Sequence, residues 1–523
     1  MLTVNDNSFK FPEMVNSGST AAIRGANISS QRLMTSPEDG SMAKQGLRGG
    51  TLRLLTNSDV NSIHSASLEI LEQVGLQVQS QKIMDVFKAG GAEVDAAKSR
   101  VKIPEHLVKD SLKKAPAKIT LAGRTEENDL LLGDNRVFYG LGGTPNPYTL
   151  DFETGEFRVS TSEDVVRNTI VGDALPNMSF IMSLAVASDV PPQVAWLHEA
   201  SIMLKNTVKP IIYSASGAEG AKYLLDMAAA VVGGYENLAR RPLITLFSES
   251  ITPLVMPAIN EGVIEFAKAK APVAYVPGPM PGASAPITLA GEHVVCNAES
   301  LAGMVLTQLT NPGTPFLYGF NTSVIDMRTG AVCYGAPEWG LGWAMTAQLA
   351  EYYSLPTFGS GGGTDSKSPD AQAGVEAFMN AYYNAVGGVS LVHNCGTVAH
   401  GSAGSLEMAV ICDELINYIQ RLLTKIEVND ESMALDLIRK VGPGGSYLAE
   451  KHTRAHINEI LHPKLFNRQA IPAWKAKGKL TARDEAREKV RTILRDHKVP
   501  PLAKEVCDKF DRVLKSASTS MIT

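Results

Sequence analysis

The residues with the most chemical potential lie between Leu355 and Glu407. The stretch reads LPTFGSGGGTDSKSPDAQAG, continues through a helical pattern, and ends with SLVHNCGTVAHGSAGSLE. Two short apolar runs each end in a loop of glycine and polar residues, and each loop leads into a helical pattern. An α/β barrel builds its active site from the loops at the carboxyl ends of its strands. The stretch therefore predicts an active site formed by neighbouring strand ends.

Four polar residues around these loops are candidates for proton transfer or for neutralising a cation. Three are the carboxylates Asp326, Glu338 and Asp365, and the fourth is His400. A carboxylate close to a helix start is often only a cap, so the sequence leaves each role open. We predict catalytic roles for Asp326, Glu338 and His400, and a substrate contact for Asp365.

Aromatic residues near these acids suit a quaternary ammonium ligand, which has no N–H to donate. Tyr334 and Trp339 lie close together in the sequence. Tyr139 and Phe320 lie in the predicted strands Val137–Leu141 and Pro315–Asn321. We predict that these four side chains surround the cation and that Asn394 makes a polar contact with the substrate.

The run GSGGGTDSK contains three consecutive glycines, Gly361, Gly362 and Gly363. Its spacing does not match the phosphate-binding pattern G-x-x-x-x-G-K-[ST]. A tight strand-to-helix turn is the simpler interpretation, and missing side chains would leave room for a bulky reactant. On that basis a Gly362→Trp substitution is expected to block the reaction without preventing folding.

A bound metal is not expected. His393, His400 and Glu407 do not have the spacing of a usual metal site. The five cysteines are scattered without a CxxC pair, which is typical of a reducing compartment.

The segments that position these loops repeat eight times. Alternation of strand-like and helical patterns indicates a parallel sheet with helices on its faces, and eight repeats favour a closed (β/α)8 TIM barrel. The predicted strands are Val137–Leu141, Phe180–Ala187, Pro210–Ala215, Pro242–Ser248, Pro272–Val276, Pro315–Asn321, Thr357–Gly359 and Ser390–His393. The predicted helices are Ser162–Leu175, Gln193–Lys205, Ala218–Val232, Ala258–Ala269, Ala290–Leu309, Pro337–Ser354, Asp370–Val386 and Ser405–Leu423.

The 523 residues divide into four predicted parts. Residues 1–50 form a flexible N-terminal arm, and residues 51–135 form a small N-terminal α+β domain. Residues 136–425 form the TIM-barrel catalytic domain, and residues 426–523 form a helical C-terminal extension. The arm and the extension favour a homo-oligomer.

Composition narrows the class of protein. The content of hydrophobic residues is 44% and that of charged residues is 20%, as in globular proteins. A net charge of −5 argues against a nucleic acid ligand. No apolar run reaches the ~20 residues that span a bilayer, and the N-terminus lacks a signal pattern. We therefore expect a cytoplasmic protein without membrane partners.

The order of these motifs resembles that of the trimethylamine methyltransferase superfamily of corrinoid-dependent methyltransferases. The segments that carry the resemblance are LEILEQVG, VFYGLGGTPNPYTLDFETGE, IDMRTGAVCYGAPEWGL, GGGTDSKSPDAQAG, LVHNCGTVAHGSAGSLEMAVICDELI and HPKLFNR. The resemblance implies a TIM barrel and methyl transfer from an amine to the cobalt of a corrinoid on a separate partner protein. It also implies that the Gly361–Gly363 loop gives the corrinoid access to the pocket.

The substrate class implied by the resemblance depends on pyrrolysine. Trimethylamine-specific members carry this residue in the pocket, near the level of the Gly361–Gly363 loop, and this sequence has ordinary residues throughout. Members without pyrrolysine act on quaternary amines such as glycine betaine, proline betaine or carnitine. The chain is therefore expected to resemble a glycine betaine methyltransferase.

Three alternatives stay open. A lyase or isomerase of a small carboxylate would use Asp326, Glu338 or His400 as a general base and would need no corrinoid protein. A non-catalytic betaine-binding protein would bind the amine without transferring a methyl group. A methyltransferase with a folate acceptor would keep the reaction and change the partner.

Overall fold

The computed structural model describes residues 42–44, 46–143 and 146–522. Most of the arm predicted over residues 1–50 lies outside the described residues. Its end is described, and Leu47–Arg48 forms a short antiparallel strand against Val137 and Arg136. The boundaries of the four predicted parts stay predictions.

Eight parallel strands of the described chain form a barrel. They are β1 (Arg136–Leu141), β2 (Met178–Ile181), β3 (Ile211–Tyr213), β4 (Ile244–Ser248), β5 (Val273–Tyr275), β6 (Phe316–Tyr318), β7 (Phe358–Ser360) and β8 (Leu391–Cys395). Neighbours pair in the order β6-β5-β4-β3-β2-β1-β8-β7. A parallel bridge between Tyr318 and Thr357 joins β6 to β7 and closes the ring. The predicted (β/α)8 TIM barrel is confirmed.

A helix follows each strand and covers the outside of the barrel. The helices are α1 (Ser162–Ala174), α2 (Pro192–Asn206), α3 (Gly217–Val232), α4 (Glu261–Lys268), α5 (Leu289–Thr310), α6 (Pro337–Tyr353), α7 (Ala371–Gly387) and α8 (Leu406–Leu423). The side chains of Thr288, Asp370 and Ser405 accept backbone amides in the first turns of α5, α7 and α8. Since such a cap stabilises a helix by ~1 kcal/mol, these helices begin directly at the end of the preceding loop.

The barrel interior is filled by one apolar side chain from each strand. These are Phe138, Phe180, Ile212, Phe247, Ala274, Leu317, Phe358 and Leu391. The hairpin of strands Ile119–Leu121 and Leu130–Leu132 adds its apolar side chains to this cluster and closes the amino-terminal end, called the bottom below. The interior is therefore a packed core, and a ligand site is expected at the opposite end, called the mouth.

The N-terminal elements pack on one side of the barrel. They are the helix Asn57–Glu69 with its continuation Ile70–Val74, the helices Gln81–Ala89 and Glu105–Lys114, and the strands Leu76–Val78, Glu93–Asp95 and Arg100–Lys102. Val255–Met256, from the loop after β4, pairs with Leu76–Val78. Since this pairing extends the small sheet with a barrel loop, the N-terminal elements are anchored to the barrel.

Two C-terminal helices return to the barrel wall. They are α9 (Ala482–Asp496), which packs on α8 and α1, and α10 (Lys504–Ile522), which packs on α2 and α3. The connection from α8 to α9 contains short helices at Asp430–Met433, Leu435–Val441, Lys451–His456 and Ile471–Ala476. Among the described residues, no helix has the length and apolar character to cross a membrane.

A buried carboxylate fixes α9 to α8. Glu407 is fully buried and pairs with Arg483 at 3.1 Å and with Arg487 at 2.9 Å. Both arginines keep about a quarter of their side-chain surface in solvent, so they retain part of their hydration. An ion pair of this kind is costly to break, because removal of one partner leaves charge without compensation.

Glu407→Ala is expected to lower the free energy of unfolding by about 2–3 kcal/mol, since it leaves two half-buried arginines unpaired. The control is Glu351→Ala, which breaks the exposed pair of Glu351 with Arg53 and should cost less than about 1 kcal/mol. Urea denaturation measures both, and limited proteolysis should cleave around α9 first in the Glu407 variant. Equal stability of the two variants would contradict this account of the docking.

Candidate active site at the barrel mouth

Glu249 follows β4 and stands in the open mouth of the barrel. Its side chain is reached by solvent, although protein atoms crowd around the carboxyl. The side-chain amide of Asn321, which follows β6, donates to it at 3.3 Å. Displacement of bulk water raises the pKa of Glu249 to about 7, against a smaller opposing effect of the Asn321 hydrogen bond. This group therefore changes between neutral acid and carboxylate around neutral pH.

A second carboxylate fixes the loop that carries Glu249. Glu299 in α5 is buried and accepts from the hydroxyl groups of Ser250 at 2.7 Å and Thr252 at 2.8 Å, and from the amide of Leu254. These donors hold the backbone directly after Glu249. The hydrogen bonds of the buried Glu299 carboxylate therefore fix the loop that orients Glu249.

Tyr334 and Trp339 form an aromatic wall. Their ring centroids are 4.5 Å apart at an interplanar angle of 31°. Trp339 is buried and its indole N–H points to the carbonyl of Ser360 at 3.4 Å, so it supports the half-buried Tyr334 from behind. Burial, with a smaller effect from the charge of Glu249, raises the pKa of Tyr334 to about 12. The tyrosine is therefore neutral at physiological pH and lies near Glu249.

Asp365 and His400 hold the backbone around Tyr334. The two carboxylate oxygens of Asp365 accept the amides of Tyr334 at 2.7 Å and Gly335 at 3.0 Å. His400 Nδ1 lies 3.1 Å from Asp365, and its Nε2 lies 2.7 Å from the ammonium of Lys367. Because an ammonium only donates, Nε2 accepts and Nδ1 carries the proton, which it donates to the carbonyl of Val332 at 3.1 Å. This network positions the aromatic wall.

His393 is a buried imidazole without a partner. Its ring stacks on Phe358 with centroids 4.8 Å apart and lies 6.2 Å from Phe247, above the packed interior. Neither ring nitrogen makes a hydrogen bond of good geometry with the described residues, and the nearby backbone of Gly142 opposes only part of the effect of burial on its pKa. Burial lowers the pKa of His393 to about 3, so the ring is neutral at physiological pH. A buried polar group left without a partner is costly, which makes it a candidate ligand contact.

Asn394 connects three loops at the mouth of the barrel. Its side-chain amide donates to the hydroxyl of Ser360 at 2.6 Å, and its backbone amide donates to the carbonyl of Gly142 at 2.5 Å. Its side-chain oxygen lies so close to Gly143 that a Cβ there would be 1.9 Å away. Only glycine at position 143 permits this approach, which joins the loops after β1, β7 and β8.

Tyr139 and Phe320 lie outside the barrel wall. The Tyr139 hydroxyl donates to the carbonyl of Ala381 in α7 at 2.9 Å. Phe320 packs edge-on against His293 of α5, with centroids 4.9 Å apart. The neighbouring Phe138 is the residue that points inward, because side chains alternate along a strand. The structure therefore does not bring these two predicted substrate contacts to the mouth.

Asp326 and Glu338 are also apart from Glu249. Asp326 accepts the amide of Arg328 at 2.9 Å and the hydroxyl of Thr329 at 3.2 Å in a partly exposed turn. These contacts, the amide of Arg328 first, hold its pKa below the usual range. Glu338 is exposed in the first turn of α6. Both positions fit local structural roles better than proton transfer.

The glycines of the GSGGGTDSK run are buried and closely packed. A Cβ at Gly361 would meet Val392 at 2.9 Å, and one at Gly363 would meet Tyr334 at 3.1 Å. Gly362 has φ +86°, and its Cβ would lie 2.9 Å from the sulfur of Cys395. These glycines allow close packing and do not line open space. The expectation that Gly362→Trp folds normally is wrong for this reason.

Sequence reasoning placed His393 at the barrel mouth as a structural histidine or a substrate donor, and it assigned no role to Glu249 or Asn321. The sequence did contain a signal for Glu249 and His393. Every second residue of a barrel strand points inward, so the residue two positions after an interior residue also points inward. Glu249 stands two residues after the interior Phe247, and His393 two residues after the interior Leu391. The carboxyl ends of the strands thus carry a titratable carboxyl, an aromatic face and a neutral imidazole, groups that suit a cation with a hydrogen-bond acceptor.

Comparison with known proteins matches nearly the whole chain to one family. The model of the family described as Trimethylamine methyltransferase (MTTB) matches residues 24–519. Trimethylamine methyltransferase MttB of Desulfitobacterium hafniense (strain DSM 10664 / DCB-2) is 36% identical over 471 residues, which are 89% of this chain and 95% of that protein. Glycine betaine methyltransferase of Desulfitobacterium hafniense (strain Y51) is 34% identical over 87% of this chain and 95% of that protein.

A more distant source gives a similar match. Trimethylamine methyltransferase MttB1 of Methanosarcina mazei is 33% identical over 90% of this chain and 97% of that protein. The relatives therefore match this chain over almost their whole length and carry two different substrates in their names.

Gly362→Ala is expected to lower the free energy of unfolding by about 2–4 kcal/mol, because a Cβ would be strained at positive φ and would press on Cys395. The matched control is Gly374→Ala in α7, where a Cβ meets nothing within 4 Å. That change should raise stability by about 1 kcal/mol, since alanine is the better helix former. Thermal unfolding followed by circular dichroism compares the two. A Gly362 variant as stable as the control would show that the loop is loosely packed.

Proposed function

We propose, because the chain belongs to the trimethylamine methyltransferase (MTTB) family of methyltransferases, that its methyl donor is a quaternary amine bearing a carboxylate. Glycine betaine is the simplest such donor. The proposed methyl acceptor is a reduced corrinoid on a partner protein, which enters the mouth as a second substrate.

The cationic end of the donor fits beside Glu249 and Tyr334. A trimethylammonium group donates no N–H, so a tyrosine face and a nearby negative charge are suitable partners. A cation–π contact contributes about 0.5–2 kcal/mol. A carboxyl whose pKa is about 7 attracts the cation less at neutral pH than a fully ionised one would. Because this attraction is weaker, the site stabilises the charged substrate less strongly relative to the uncharged amine product, and this favours turnover.

The observation that carries the carboxylate assignment is the unpartnered ring of His393. Its low pKa keeps the ring neutral, so one nitrogen donates and the other accepts. A carboxylate on the donor would accept that N–H and remove the cost of leaving it without a partner. A methyl donor that can neither accept nor donate a hydrogen bond, such as tetramethylammonium, leaves the ring unsatisfied.

The reaction requires orientation more than proton transfer. The bond between the methyl carbon and nitrogen breaks, and its electron pair stays on nitrogen while the carbon bonds to the acceptor. The nitrogen is already cationic, so the tertiary amine leaves without needing a proton. The roles left for this chain are to hold one methyl group toward the mouth and to fix the other end of the donor. Asp365 serves this by holding the backbone of Tyr334, and His400 by holding that of Val332.

Purified protein with reduced cobalamin and a panel of amines tests the donor class. Glycine betaine, proline betaine and carnitine should each be compared with choline and trimethylamine, and methylcobalamin should be followed by absorbance. Glycine betaine and choline share the trimethylammonium group and differ in the carboxylate, so they isolate the proposed role of His393. Turnover of betaines alone is expected. Preferential turnover of trimethylamine would overturn the carboxylate assignment and leave family membership intact.

Binding of glycine betaine is expected to tighten roughly tenfold between about pH 6 and pH 8. The raised pKa means that Glu249 is neutral below about 7 and becomes an attractive carboxylate above it. Titration calorimetry with wild type and Glu249→Gln measures this, and the variant should bind weakly without the pH dependence.

Glu338→Gln is the matched control, because it removes an exposed carboxyl apart from Glu249. It should keep the full pH dependence of binding. A wild-type affinity that does not change with pH would exclude Glu249 from the cation site.

A further inference from the structure

Glu292 is a fully buried carboxyl to which the proposed reaction gives no role. It lies in the first turn of α5, and solvent reaches none of its surface. Neither of its oxygens makes a hydrogen bond of good geometry with the described residues, and the nearby backbone of Ser323 opposes only part of the effect of burial on its pKa. A carboxyl in such surroundings costs free energy, so a compensating interaction is expected.

Burial makes this side chain a neutral acid at physiological pH, because it raises the pKa of Glu292 to about 8. The basic side chain beside it, among the described residues, is His293, whose Nδ1 lies 3.9 Å from Oε2 of Glu292. Residues 320–324 after β6 and Gly342 of α6, which face this turn of α5, have no ionisable side chain. Glu292 therefore carries a proton that it can donate.

His293 does not take this proton. Its Nδ1 lies 2.7 Å from the carbonyl of Leu289, and its Nε2 lies 3.1 Å from the carbonyl of Gly342. An imidazolium would donate to both carbonyls, but it and a Glu292 carboxylate would be two buried charges without a hydrogen bond between them. Burial lowers the pKa of His293 to about 4, so the ring stays neutral. The thiol of Cys296, one turn further along α5, is neutral as well, because burial raises its pKa.

The loop after β6 contains groups that lack a hydrogen-bond donor. Asn321 Oδ1 and Thr322 Oγ1 are buried and have no partner among the described residues. The backbone of Ser323, the next residue, acts on Glu292, which places this loop against the first turn of α5. A protonated carboxyl has one O–H to donate, and each of the two loop oxygens can accept it. The unpaired donor and the unpaired acceptors therefore lie at one junction.

The same loop carries the group that contacts Glu249. The side-chain amide of Asn321 donates to Glu249 at 3.3 Å, the one hydrogen bond of this carboxyl with the described residues. The backbone of Asn321 is fixed, since its N–H donates to the carbonyl of Pro277 at 2.7 Å and its carbonyl accepts the hydroxyl of Ser323 at 3.1 Å. Oδ1 and Nδ2 belong to one planar amide, so a donor to Oδ1 also fixes the direction of Nδ2.

We propose that Glu292 is a positioning residue: as a neutral acid it donates to Oδ1 of Asn321 and thereby holds the Asn321 amide against Glu249. The hydrogen bond from Asn321 opposes the rise in the pKa of Glu249, so Glu292 helps to set the pH at which Glu249 becomes charged. The importance of this for the methyl donor rests on the proposed function, whereas the effect on Glu249 is a property of the protein alone.

Infrared difference spectroscopy of the full chain tests the protonation of Glu292. Wild type and Glu292→Gln differ in one carboxyl, so their difference spectrum isolates its C=O stretch. The band of a protonated acid is expected at about pH 7 and should disappear only above about pH 8. A carboxylate band at about pH 7 would overturn the proposal, because an ionised Glu292 has no proton to donate.

Titration of Glu249 in the ligand-free protein tests the coupling, with Glu249→Gln used to assign its infrared band. Glu292→Met fills similar space without a donor, and it should raise the midpoint of Glu249 by roughly half to one pH unit, since loss of the Asn321 hydrogen bond favours the neutral acid. Glu292→Gln can donate through its amide and should keep the wild-type midpoint. Asn321→Leu should raise the midpoint as Glu292→Met does, and the double variant should raise it no further.

The matched control is Gln308→Met, which removes another fully buried polar side chain of α5, at the opposite end of the helix. It should lower stability without moving the midpoint of Glu249. A midpoint that does not move in Glu292→Met, or that moves equally in the control, would reject the positioning role. If Glu292→Met does not fold, a changed midpoint in Glu292→Gln still rejects it.

Binding of glycine betaine separates this inference from the proposed function. If Glu249 binds the cation, the pH dependence of affinity in each variant should follow the midpoint of Glu249 in that variant. A wild-type affinity that does not change with pH, combined with a midpoint raised by Glu292→Met, would reject the cation site and sustain the positioning role of Glu292.

Discussion

Side chains point alternately inward and outward along each of the eight barrel strands, and this alternation determines which residues fill the core and which face the mouth. Every second residue of a strand must fill the barrel, and Phe138, Phe180, Phe247 and Phe358 do so in the interior. The inward position after the last packed layer has no partner across the barrel. Glu249 and His393 occupy such positions, so the constraint that packs the core also places these two polar side chains above it.

The carboxylates of this protein differ in the groups that compensate their negative charge. Glu407 is buried against two arginines and Glu299 against three hydrogen-bond donors, so each contributes to structure. Glu249 has one amide donor at 3.3 Å and no cation beside it among the described residues. Its raised pKa is the physical mark of that difference. Site carboxylates and structural carboxylates are thus separated by their surroundings and not by their residue type.

The barrel could be predicted from the sequence, because its strands and helices follow from local pattern and capping. The strands Leu76–Val78, Glu93–Asp95 and Arg100–Lys102 of the small sheet were not predicted. Every predicted barrel strand overlaps an observed one, and the predicted helix α5 differs by one residue at each end. The site was harder. Tyr139 lies in β1 and Phe320 two residues beyond β6, and both side chains point outward. The sequence does not show which residues point inward when both faces of a strand are buried. The contact of Asp365 with Tyr334 joins two loops that only barrel closure brings together, so no local pattern encodes it.

Closure of the ring has a consequence for how the chain is made. β1 pairs with β8, in a register that sets Phe138 opposite Leu391, and roughly 250 residues separate the two strands. At ribosomal rates of about 5–20 residues per second, β1 waits on the order of 10–50 s for that neighbour. One edge of the growing sheet is therefore unpaired throughout synthesis of the barrel, and an unpaired edge is a template for pairing with another chain. The short strand Leu47–Arg48 is made before β1 and pairs with its first residues, so part of this edge can be covered from the start.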